Sequence, residues 1–174
     1  MKNKITLIVA FISLISLQSC VKEEIVRDSI DNDTISEVFE LRNVNFSFNN
    51  STGGYFIYRE LNPLIFSSDV VLIYRMSDLI NSNTPVWQLI PRTLFLNGGD
   101  ELDYDFDFSR QDFTIYANGT YNLSATPEYI FNQTYRIVIV PGFFSPRSSS
   151  TIDYNNYDEV IEHYNINDKN ITQL

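Results

Sequence analysis

Beyond residue 38, apolar and polar positions alternate along most of the chain, and a period of two marks half-buried strands. Phe39 and Leu41 share one phase, and Val44, Phe46 and Phe48 the other. The slip near Arg42-Asn43 predicts a β-bulge. Residues 49–54 form a turn cluster of Asn, Ser, Thr and Gly; residues 55–59 return as a strand, interrupted at Asn62-Pro63. Residues 69–74 are apolar on both faces, which predicts a central strand covered on both sides. Residues 77–85 read as a loop. Residues 86–90, with Trp87, form a strand stopped by Pro91, and residues 92–96 another. Asn97-Gly98-Gly99-Asp100 is a turn. Residues 101–108 alternate most cleanly: Leu102, Tyr104, Phe106 and Phe108 face one way, and Glu101, Asp103, Asp105 and Asp107 the other. Residues 113–117 and 120–124 flank Asn118-Gly119, which predicts a hairpin with a type I′ turn. Residues 135–140 are a second doubly apolar strand, ended by Pro141-Gly142 and followed by a Ser-rich loop. Tyr157, Val160, Ile161 and Tyr164 have helical spacing within residues 154–164, with Asp153 placed to cap the start. Residues 170–174 predict a last short strand.

These elements predict an all-β fold: an antiparallel β-sandwich of immunoglobulin-like size with about eight strands and one short helix near the C-terminus. A closed, ligand-holding barrel is the alternative. The doubly apolar strands favour the sandwich, because each needs cover on both faces.

The first two dozen residues follow a different pattern. Lys2 and Lys4 precede an apolar run over residues 5–17, closed by Leu17-Gln18-Ser19-Cys20. This is the layout of a secretory signal, and the run is shorter than the ~20 residues a bilayer span needs. The closing tetrapeptide resembles a bacterial lipobox, in which the cysteine is acylated and becomes the new N-terminus. Gln18 departs from the commonest form, as it often does in leaders from Bacteroidota. The resemblance implies that residues 1–19 are a leader, that Cys20 carries a lipid anchor, that residues 20–37 are lipidated cysteine plus polar tether, and that residues 38–174 are the displayed domain. Lys22, Glu23 and Glu24 resemble the acidic export tag of surface-displayed Bacteroidota lipoproteins, which implies the outer membrane and its external face. Asp28-Ser29-Ile30 and Asp33-Thr34-Ile35 resemble the O-glycosylation triplet of the same phylum, making Ser29 and Thr34 acceptors.

The chain has 174 residues, one domain by length, with 44% apolar and 14% aromatic residues to build a core. Its formal charge is −10, and Lys2 and Lys4 lie in the leader, so the remainder is more acidic still. That argues against nucleic acid and against electrostatic binding to anionic lipid. Cys20 is the single cysteine; once lipidated, it leaves no thiol, disulfide or sulfur ligand for a metal.

Three stretches carry a family likeness: Ser68 with Asp69-Val70-Val71-Leu72-Ile73-Tyr74, then residues 86–96, then residues 133–142. With Asn156-Tyr157-Asp158-Glu159-Val160 they resemble an uncharacterised domain of Bacteroidota lipoproteins, some of which carry a collagen-like Gly-X-Y stretch after the lipid cysteine. Residues 21–36 contain no glycine, so no triple-helical trimer is implied here. The resemblance implies an address and a fold, and brings no catalytic residues.

Candidate chemistry is sparse. Alternate side chains on a strand stand about 6.6–7 Å apart, so Asp103, Asp105 and Asp107 form a ladder and not a calcium cage. The one histidine, His163, falls on the C-terminal helix, and no nucleophile-elbow, zinc-protease or phosphate-loop motif is present. Tyr55, Tyr58, Tyr116 and Tyr121 lie near strand ends, where amphipathic rings suit contact with sugars or proteins. The expectation is a lipid-anchored surface protein with a non-catalytic structural or interaction role, without cofactor or metal. Its partners are the membrane through the anchor and a surface glycan or an envelope protein. The alternatives are a carbohydrate-binding component of a surface uptake assembly and a hydrolase using two carboxylates.

Overall fold

Among the described residues, strands β1 (Glu37–Val44), β2 (Ser47–Phe48), β3 (Tyr55–Glu60), β4 (Val70–Ile80), β5 (Thr84–Ile90), β6 (Arg92–Phe95), β7 (Glu101–Phe108), β8 (Asp112–Gly119), β9 (Gln133–Val140) and β10 (Thr172–Gln173) are accompanied by one α-helix, α1 (Tyr157–His163). The computed structural model describes residues 36–142 and 151–174. Cys20, Lys22, Glu23, Glu24, Ser29 and Thr34 lie outside the described residues. The strands form two five-stranded sheets, ordered β10-β1-β9-β4-β5 (sheet 1) and β2-β3-β8-β7-β6 (sheet 2). The sheets stay separate, so the chain is a sandwich and not a closed barrel. All pairings are antiparallel except β1 with β10. The two-residue strands β2 and β10 bring the count to ten.

The main core lies between the sheets. Leu41, Ile73, Tyr135 and Ile137 of sheet 1 meet Ile57, Leu102, Phe113 and Ile115 of sheet 2. The chain passes from one sheet to the other at Ile90-Pro91-Arg92, where β5 ends in sheet 1 and β6 begins in sheet 2. Proline cannot donate to a ladder, which suits it to this corner.

A second core covers the outer face of sheet 1. Val38, Tyr74, Val138 and Val140 point away from the sandwich and pack with Tyr157 and Val160 of α1 and with Ile166. The Tyr74 hydroxyl donates to the Tyr154 carbonyl at 2.7 Å. β4 and β9 are therefore apolar on both faces for a physical reason: one face meets sheet 2 and the other meets the C-terminal segment.

Four local expectations are corrected. Residues 77–85 are not a loop: β4 continues to Ile80 and β5 starts at Thr84, with Asn81 and Ser82 at positive φ in the turn. Asp78, Leu79 and Ile80 are exposed, so this hairpin end has no buried face to impose alternation. Asn118-Gly119 is not a type I′ turn. Both residues remain in β8, opposite Asp103 and Leu102, and neither has positive φ. Residues 120–124 form no strand. The chain turns at a 3₁₀ segment, Leu123–Ala125, where the Asn122 side chain accepts from the Ser124 N–H. Asp153 does not cap α1. The Asn156 side chain does, accepting from the Glu159 N–H, while Asp153 closes the turn before it by accepting from the Asn155 N–H.

Glycine is needed at 119 for space. A Cβ there would sit 2.7 Å from Leu123 Cδ2 and 2.9 Å from the Glu101 carbonyl oxygen. Gly119→Ala is expected to destabilise the protein by about 1–3 kcal/mol, the range for overpacking, where an unstrained Gly→Ala would stabilise it by ~0.4–1 kcal/mol. Chemical denaturation gives the sign: a midpoint that rises in the variant contradicts this packing.

Candidate functional site

The two sheets present opposite kinds of outer surface. On sheet 2, β7 directs Glu101, Asp103, Asp105 and Asp107 outward, and β3 and β8 add Tyr58, Thr114 and Tyr116. Diagonal cross-strand neighbours can reach one another when a side chain is long. The Tyr116 hydroxyl donates to Asp107 at 2.9 Å, the Tyr58 hydroxyl to Asp112 at 3.2 Å, and the Thr93 hydroxyl to Asp103 at 2.5 Å. Partial burial, then the hydrogen bond to Asp107, raises the Tyr116 hydroxyl above its ordinary range.

The four sequence-predicted tyrosines do not form one platform. Tyr58 and Tyr116 share this outer face. Tyr55 and Tyr121 instead pack against the main core: Tyr55 meets Phe48 edge-on at 5.1 Å, and the Tyr121 hydroxyl bonds Thr126 Oγ1 at 2.6 Å. Strand parity separates them, since Tyr55 and Tyr58 are three residues apart and must point to opposite faces. The carboxylates remain a solvated ladder. Among the described residues no group of three His, Cys, Asp or Glu side chains could hold a metal ion.

The outer face of sheet 1 holds a polar node that the sequence reading passed over. Arg136 sits mid-strand in β9, opposite Glu40 of β1 and Tyr74 of β4. Its Nη1 donates to the Tyr157 hydroxyl at 2.6 Å and lies 3.3 Å from Asp168, and its Nε lies 3.4 Å from Glu40. The guanidinium carbon stands 4.5 Å from the centre of the Trp87 ring and 4.8 Å from that of Tyr157. The sequence carries the signal: an arginine within the apolar run of residues 135–140 must find partners or leave a buried charge unpaired.

Glu40 is 4% exposed. Burial pushes its carboxyl up, but hydrogen bonds from Gln173 and Arg42 and the charges of Arg42 and Arg136 outweigh that and hold it below the usual carboxylate range. Burial raises the Tyr157 hydroxyl well above its ordinary value, with Arg136 opposing and Asp168 reinforcing.

Beside this node lies a cavity of about 570 Å³, lined by Trp87, Arg136, Tyr157, Asp153, Asp158 and Asp168 together with Thr84, Pro85, Asn155 and Asn156. Trp87 is half-buried, and Asp153 and Asp158 are exposed. A carboxyl acid catalyst needs an apolar pocket to hold its proton. Asp153 and Asp158 face solvent and Asp168 faces a guanidinium, so none has those surroundings. His163 lies in the last turn of α1, with its ring edge-on to Tyr164 at 4.9 Å. No helix among the described residues is long and apolar enough to cross a membrane. No family model, curated protein or solved structure matches the chain.

Glu40 links the site to stability. Its folded-state pKa is depressed, so between the folded and unfolded values the unfolded chain binds more protons and stability rises with pH. The contribution is complete above the unfolded carboxylate value of about 4.3 and disappears as pH falls through the lower folded value. Glu40→Gln is expected to destabilise the protein by about 1–3 kcal/mol at pH 7. Urea titrations across pH should show wild type and variant converging in acid; a constant gap at all pH values would contradict the depressed carboxyl.

Proposed function

We propose that this chain is a lipid-anchored protein of the outer membrane, displayed at the cell surface, whose β-sandwich has a structural or binding role and not a catalytic one. One observation carries the reading: the order of Lys2, Lys4, the apolar run over residues 5–17, and Leu17-Gln18-Ser19-Cys20. A single acyl chain binds membrane only marginally, so stable retention rests on the several chains such a cysteine receives. Lys22, Glu23 and Glu24 act as the outward sorting signal, Ser29 and Thr34 as glycosylation acceptors in the tether, and residues 38–174 as the displayed domain. The likeness to the uncharacterised lipoprotein domain of Bacteroidota supports the same address.

A second reading, a carbohydrate-binding component of a surface uptake assembly, is favoured by the cavity beside Trp87 rather than by the tyrosines first singled out. The two-carboxylate hydrolase is the weakest reading, because the cavity's acids lack the surroundings that hold a catalytic proton.

Cys20→Ser is expected to move the protein from the membrane to the soluble fraction, and continued co-sedimentation with membranes would refute the anchor. On intact cells, added protease should remove the native domain and spare a Glu23→Ala, Glu24→Ala variant. If neither is cleaved while membrane association persists, the domain faces the periplasm and the sorting role of the acidic pair falls.

A further inference from the structure

We infer that the cavity at the junction of β5, β9 and the C-terminal segment is a binding site for a neutral saccharide. This deepens the surface-binding reading and rests on it only for where such a ligand would be met.

The first argument is the wall. Trp87 is the chain's single tryptophan, and it stands on the outer face of sheet 1, half-buried, at the cavity's edge beside Pro85. With Arg136 over one face of the indole, the rest of the ring and Pro85 give the cavity an apolar wall that suits the C–H face of a sugar ring. Second, polar groups line the same cavity. Asp158 is exposed, and its carboxylate makes no hydrogen bond to another described residue. Asp153 Oδ1 accepts the backbone and side-chain N–H of Asn155, each at 3.0 Å, which orients both side chains at the margin. Asp168 Oδ2 is held by Arg136 and Tyr157. Carboxylate and amide oxygens are acceptors for sugar hydroxyls, with Asp153 and Asp168 held in place and Asp158 open, and hydrogen bonds to charged acceptors are the stronger kind. The volume of about 570 Å³ falls within the ~300–1,000 Å³ of small-molecule sites.

The third argument decides the ligand's charge. Three carboxylates against one guanidinium repel an anion, which disfavours uronates, sulfated sugars and phosphates. A cation would seek the aromatic faces. Arg136 already stands over both Trp87 and Tyr157, so that position is filled from within the protein. A neutral polyol that offers hydroxyl donors and an apolar face meets neither obstacle.

Because Trp87 is the only tryptophan, its fluorescence reports this cavity alone. The full chain, held in a detergent without a sugar headgroup, would be screened on a glycan array and then titrated with the strongest neutral oligosaccharide while tryptophan emission is followed. A saturable change is expected, and Asp158→Asn and Asn155→Ala should each weaken it about tenfold or more, the loss of a charged or oriented hydrogen bond. Asp105→Asn, on the outer face of sheet 2, should leave it unchanged. The proposal is overturned if no array member binds and emission stays flat up to about 10 mM sugar, where even a Kd of 1 mM would be visible. It is equally overturned if binding survives both cavity variants and is abolished by Tyr116→Ala, or if oligolysine titrates Trp87 and neutral sugars do not. Each failure leaves the Cys20→Ser fractionation result untouched, so loss of the ligand and loss of the anchor are told apart.

Discussion

A strand that is apolar on both faces must be covered on both faces, and this constraint organises the molecule. β4 and β9 sit at the centre of sheet 1, and sheet 2 can cover only one of their faces. The other is covered by Tyr157, Val160 and Ile166 from the C-terminal segment. Full burial of a large apolar side chain is worth about 1.5–3 kcal/mol, so losing that cover would remove several such contributions together. Arg136 belongs to the same constraint. It is the one charged residue of β9, and its charge is tolerated because Glu40, Asp168 and Tyr157 take its donors while Trp87 and Tyr157 cover its faces. The node thus ties β1, β5, β9 and the segment from 157 to 168 to one another, and the cavity is the space left at its margin.

Sheet 2 meets the opposite condition. Among the described residues its outer face has no cover, and its strands carry carboxylates and hydroxyls there beside the exposed Phe95. The acidic row lies on β7, which β6 and β8 flank, so it marks a solvated face and not a sheet edge. The tyrosine–carboxylate pairs on this face are exposed, where such contacts contribute little. The buried node on sheet 1 is where polar interactions are both numerous and desolvated, and it is there that a site is held in shape.

Much of this was legible in the order of residues. The alternation of residues 101–108 reads directly as β7, with Leu102 and Tyr104 buried and Asp105 and Asp107 exposed. The doubly apolar runs read directly as β4 and β9, because burial on two faces leaves a signature that one strand carries alone. The hairpin end at residues 77–85 was not legible, since no buried face imposes a period there. Asn118-Gly119 misled because its local turn preference was outweighed by pairing with β7 and by the close approach of Leu123. The site was hidden for a related reason. Trp87, Arg136 and Tyr157 are far apart in sequence, and only the ladder from β1 to β5 and the returning C-terminal segment bring them together. Parity along β3 also divides Tyr55 from Tyr58, which residue type alone does not show.

The parallel strand β10 has a consequence for when the fold can close. β1 is the first strand described and β10 the last, and the Gln173 side chain donates to Glu40 at 3.3 Å across 133 positions. Helix α1, the cover of sheet 1, also arrives after every other strand. Loop closure over such separations slows folding, and none of these contacts can form before residues 157–173 are available. A chain emerging from its N-terminus would present the apolar outer face of β4 and β9 to its surroundings until Tyr157, Val160 and Ile166 follow. The outer cover of sheet 1 is thus completed late, when residues 157–173 join strands that precede them in the chain.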